Sequence, residues 1–149
     1  MAKPDFSGRV NIKLNSVDVS LNFDRFAQQF QAAQKWLDAQ VFNDTQPYMP
    51  MQTGALINNS RAKSMETLGK GEVCVGTPPY GRFLYYGKVM VDPETGSPFA
   101  RPGVKKVLTN RNLTYSNPKA TAKWFETAKK NHEKEWVQEV KKIAGGGKQ

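Results

Sequence analysis

The chain has 149 residues, 38% of them hydrophobic, and carries a formal net charge of +9. That length suits one domain, residues 1–149, with a modest core, and the excess of lysine and arginine favours a polyanion or an acidic protein face as partner without specifying a fold. One cysteine, Cys74, excludes an internal disulfide and a thiolate-only zinc site, and no apolar run approaches the roughly 18 residues of a membrane span.

No apolar N-terminal stretch follows the opening residues, so the sequence predicts a soluble chain made in a cytoplasm, with no membrane partner. Residues 1–8 are polar, contain Pro4 and Gly8, and are expected to be a flexible end. Val10, Ile12 and Leu14 alternate with polar residues, and Val17, Val19 and Leu21 repeat the alternation. That is the period of a half-buried strand, bent or turned as a hairpin near Asn15 and Ser16. Asn22 or Asp24 can cap the long helix that follows. Its apolar face is Phe26, Phe30, Ala33, Leu37 and Val41, widened by Trp36, with Asp38 falling away from it. The helix is expected to pack on the sheet.

Residues 47–87 are dense in stop and start signals. Pro47 and Pro50 end the preceding helix, and Thr53 is placed to cap a short central helix through Leu56 and Ile57. Val73, Cys74 and Val75 read as a short strand stopped by Thr77, Pro78 and Pro79, with Cys74 a buried inert thiol. The aromatic cluster Tyr80, Phe83, Tyr85 and Tyr86 ends at Gly87. Val89 to Val91 can form a strand, and the loop beyond it is punctuated by Pro93, Gly96 and Pro98. Asp92 and Glu94 read there as a solvated acidic pair.

Arg101, Lys105, Lys106 and Arg111 have no acid among them and form the best candidate for contact with DNA phosphates or an acidic partner. Leu113, Thr114 and Tyr115 are placed to dock this segment on the body. Pro118 is expected to open the last helix. Phe125, Ala128, His132, Trp136, Val140 and Ile143 then mark an amphipathic helix of about 36 Å. A glycine run at 145–147 ends it, leaving 144–149 as the second flexible end.

The fold class expected is therefore α+β: a small antiparallel or mixed sheet, a long helix in the N-terminal half, a short central helix, a long C-terminal helix and an extended loop around 90–103. His132, the single histidine, lies on an apolar stripe beside Trp136, where packing is its natural role. No phosphate-cradling glycine loop, CxxC pair, HExxH or acid-rich metal motif is present. Neither an enzyme nor a cofactor is expected.

The order of these pieces resembles the minor capsid protein 2 family of long-tailed bacteriophages and prophages, and more broadly the tail-completion or neck proteins. The motifs that carry the likeness are Pro50, Thr53, Gly54 and Leu56 followed by Asn59 and Ser60, the aromatic element at 80–87, and the ending built on Trp124, Phe125, Glu126, His132 and Trp136. The resemblance spans about residues 17–140. It implies a non-catalytic subunit of the virion, made in the bacterial host cytoplasm, that forms a homo-oligomeric ring at the head–tail junction. Implied neighbours are the connector or stopper proteins, the tail terminator or tail-tube proteins, and DNA passing non-specifically through the lumen. The extended loop is the natural element to reach an adjacent subunit, which makes Met90, Val91, Pro98 and Phe99 candidate interface residues. The alternative carried by the charge is a small basic nucleic-acid-binding protein.

Overall fold

The computed structural model describes residues 8–145. The expectations for residues 1–7 and 146–149 lie outside it. The chain is α+β. Strands β1 (Arg9–Leu14) and β2 (Val17–Asn22) form an antiparallel hairpin, turned through Asn15 in a left-handed conformation. Helix α1 (Asp24–Thr45) follows, then a single 3-10 turn (Gln46–Tyr48) and helix α2 (Ala55–Glu66). Helix α3 (Gly81–Tyr86) leads into a second antiparallel hairpin, β3 (Lys88–Val91) and β4 (Val107–Asn112), and helix α4 (Trp124–Gly145) ends the described chain. The sheet content is two separate two-stranded ribbons.

That separation decides what α1 packs against. Neither ribbon is wide enough to form a layer, so α1 lies chiefly along α4. Asp44 on α1 accepts a hydrogen bond from Trp136 Nε1 at 2.7 Å, and Asn131 on α4 donates to the Tyr48 hydroxyl at 3.0 Å. Phe42, Met49, Ile57 and Trp124 make the core, with Val73, Val75, Leu84 and Tyr85 packed around them. Phe42, beside the α1 stripe, supplies the helix's side chain to this core, while Leu37 and Val41 of the stripe are half-buried. Phe26 and Phe30 remain about half exposed, because the hairpin preceding them adds no layer over them.

The α1 start follows its sequence signal, with Asn22 Oδ1 accepting from the Asp24 amide at 2.9 Å. Asp38 departs from it. Its carboxylate is buried and accepts from the amides of Gly69 and Gly71 at 2.7 and 3.1 Å, tying the turn after α2 to α1. Gly54, rather than Thr53, stands at the cap of α2, with the Thr53 hydroxyl 3.4 Å from the Ala55 amide. That helix runs to Glu66, further than the expected central piece.

Residues 73–75 form no ladder, because no strand lies beside them. Side chains meet their backbone instead: Ser64 Oγ accepts from the Cys74 amide at 2.9 Å and donates to its carbonyl at 3.0 Å. Pro118 does not open α4 either. Asn117 binds the carbonyls of Pro47 and Met49, and Thr121 N and Lys123 N donate to Tyr48 and Tyr85. Lys123, with φ 51°, breaks any helix through that point, so α4 begins at Trp124 and its 22 residues span about 33 Å. The helix continues through 144 and 145, which were expected to be loose.

Ser60, in the middle of α2, is fully buried and its hydroxyl has no hydrogen-bond partner among the described residues. Ser60→Ala removes a desolvated hydroxyl and improves helix propensity. It is expected to stabilise the chain by about 1 kcal/mol in urea unfolding followed by circular dichroism.

Candidate functional site

Three exposed features distinguish the surface: an arm, a groove and an aromatic strip. The arm is β3, β4 and the loop of residues 92–106 between them. Asp92 organises it from a fully buried position, contrary to its reading as a solvated acid. Its carboxylate accepts from the amides of Glu94, Thr95 and Arg101 at 2.9, 3.3 and 3.2 Å, and from Arg101 Nε at 2.9 Å. Arg101 Nη1 also meets Glu94 at 2.6 Å. A carboxylate gathering this many donors holds a loop in one shape.

The Arg101 guanidinium, then the Glu94 amide, pull the Asp92 carboxyl from its ordinary 3.8 to about 2. A lowered folded-state value contributes stability above the ordinary value, lost as pH falls through the folded one. The loop is therefore expected to stay ordered at pH 5 and to loosen between about pH 4 and 2. Amide hydrogen exchange over 92–106 reads this directly, and Asp92→Asn should show the loosened pattern at neutral pH.

The arm disperses the expected site residues. Arg101 is committed to Asp92 and Glu94, whereas Lys105, Lys106 and Arg111 are exposed and make no ion pair among the described residues. Arg111 lies on β4, a strand that the sequence pattern did not reveal. Met90 is half-buried and pairs with Leu108, while Val91 is buried in its own chain and so supports the arm from inside. Pro98 is exposed, and Phe99 is 84% exposed, between Ser97 and Arg101, which both bond to Asp92.

The groove runs between α1, the 73–75 segment and α4, and encloses about 660 Å³. Leu37 and Val41 of α1, Val137 and Val140 of α4, and Val73 and Val75 line it, with Lys129, Glu133 and Lys141 also among its lining residues. The strip is at α3: Tyr80, just before the helix, Phe83 and Tyr86 recur every three residues and are all exposed, while Leu84 and Tyr85 turn inward. Tyr85 donates to the Glu126 carboxylate, and burial followed by that carboxylate pushes its hydroxyl well above the usual tyrosine range.

The histidine lies elsewhere. His132 stacks on Trp136 with ring centres 6.3 Å apart, and its Nδ1 is 3.2 Å from Glu135 Oε2. Among the described residues no group of three or more His, Cys, Asp and Glu side chains is placed to hold a metal ion. No described helix is long and apolar enough to cross a membrane.

A protein-family model described as minor capsid protein matches residues 9–144. No curated protein and no solved structure matches the chain.

Proposed function

The chain belongs to the minor capsid protein family, and on that premise we propose that its copies form a ring at the head–tail junction through which DNA passes. Membership makes it a structural protein of the bacteriophage virion. The observation that carries the rest is the arm: beside the clamp that Asp92 and Arg101 form in its loop stands the exposed phenyl ring of Phe99. An aromatic side chain held out on a rigid support loses little freedom on docking, which is the property of an interface anchor. The arm then reaches an adjacent subunit or ring, with connector or stopper proteins on one side and tail terminator or tail-tube proteins on the other.

Lys105, Lys106 and Arg111 give this ring a positive face. An acidic neighbouring protein suits that face better than DNA, because a lumen that grips phosphates would hinder passage of the genome. The second reading, a nucleic-acid-binding protein, loses one of its cations to the Asp92 and Glu94 carboxylates. Electron microscopy of purified virions tests the first reading: density for the protein at the neck is expected, and its absence from particles would overturn it. Filter binding of duplex DNA across a salt series tests the second. Under the structural reading, Lys105→Ala with Lys106→Ala leaves the weak binding unchanged. A loss of about tenfold or more, with a shallower salt slope, would favour nucleic-acid binding.

A further inference from the structure

We propose that the apolar face of the β1–β2 hairpin of one copy seats in the groove between α1 and α4 of the next copy. The proposal rests on the reading that copies of this chain assemble, and it names the surfaces that join them.

The hairpin is amphipathic by register. Val10 faces Leu21 and Ile12 faces Val19, with Val17 on the same side, while Asn11 with Ser20 and Lys13 with Asp18 take the opposite face. Val10, Ile12, Val17, Val19 and Leu21 are each between 36% and 57% exposed, so nothing in the described chain covers that face. An isolated two-stranded ribbon is marginal in water and needs a third layer to hold it. The groove is the apolar recess that lacks one.

Size and length match. Six-residue strands run about 20 Å, and the stretch of α4 between Lys129 and Lys141 that borders the groove runs about 18 Å. Five half-exposed aliphatic side chains present on the order of 400 Å². With the facing groove and a polar rim, one contact reaches about 1,000 Å², the low end of specific interfaces.

Donor and acceptor are different surfaces of the same chain, so the contact is heterologous and each copy can both give and receive. Such contacts propagate until the rotation closes a ring. Closure gives every copy two contacts, which strengthens the ring beyond a single marginal one.

Light scattering over a concentration series tests this with Val19→Glu on the hairpin and Val137→Glu in the groove. Neither position is buried in the single chain (36% and 46% exposed), so circular dichroism and melting should stay close to wild type. Wild type is expected to associate, and each variant to associate about 100-fold more weakly, because a carboxylate would enter an apolar contact. Mixing the two variants should restore a single heterodimer, since each retains the surface the other lacks. Variants that associate like wild type, a mixture that stays monomeric, or a wild type monomeric to millimolar concentration would each overturn the contact. Virions separate this from the ring reading. Intact neck rings in phage carrying Val137→Glu leave that reading standing and refute this interface, whereas absence of the wild-type protein from particles removes the reading itself.

Discussion

Trp124→Ala is expected to lower the unfolding free energy by about 4 kcal/mol, the cost of emptying a fully buried aromatic site. The indole holds more than volume. Its Nε1 donates to the Val75 carbonyl at 2.7 Å, and its ring meets Tyr85 edge-on with centres 4.8 Å apart. Deleting it leaves a carbonyl without its partner, in a segment that no strand supports, which adds about 1 kcal/mol. Against a typical total of about 5–15 kcal/mol, that is a large share. The urea midpoint should fall by about 2 M, read by far-ultraviolet circular dichroism. Trp124→Phe keeps a ring against Tyr85 and loses the bond to Val75, so it should cost about half as much. A midpoint that moves less than about 0.5 M in Trp124→Ala would show that 73–75 is held by Ser64 alone.

The local features of the fold are readable from local sequence. Alternation gave the β1–β2 hairpin, three- and four-residue spacing gave α1 and α4, and the run of Pro93, Gly96 and Pro98 marked the loop of the arm. What sequence concealed depends on partners far along the chain. Asp38 is buried because it binds amides 31 and 33 residues away, and half-buried Asp44 is tied to an indole 92 residues away. Alternation says that a strand has an apolar face but not what covers it, so the exposure of Ile12 and Val19 came as a finding. The start of α4 was misplaced for the same reason. Lys123 takes a left-handed conformation where its amide meets the Tyr85 carbonyl, a contact that no local propensity encodes. Within the site, one signal was available. Arg101 follows Asp92 and Glu94 closely, and an arginine that near two carboxylates finds them before it finds a phosphate.

Gly87→Ala is expected to detach the arm from the body at a cost of about 3 kcal/mol. Gly87 ends α3 with φ 66°, turns the chain into β3, and accepts from the Leu113 amide at 2.8 Å. Alanine there incurs the left-handed conformation, about 1 kcal/mol for a side-chain-bearing residue. Its Cβ would also stand 2.6 Å from the Ala122 Cβ and 2.9 Å from the Tyr115 hydroxyl. Tyr115 cannot retreat freely, since its hydroxyl donates to the Leu84 carbonyl at 2.6 Å and so anchors the strand return to α3. The two costs are separable. Ala122→Gly removes the nearer clash while leaving the backbone conformation, so adding it to Gly87→Ala should recover about 1 kcal/mol, a coupling read by a double-mutant cycle. Additive single effects would mean that the overlap is relieved by a shift of the 116–123 segment. Because Gly87 joins the arm that carries Phe99 to α3, Gly87→Ala should also reduce incorporation into particles more than Ser60→Ala does. Quantitative blotting of purified virions distinguishes a misdirected arm from a merely less stable chain when Trp124→Phe, with comparable destabilisation and an intact hinge, is run beside it.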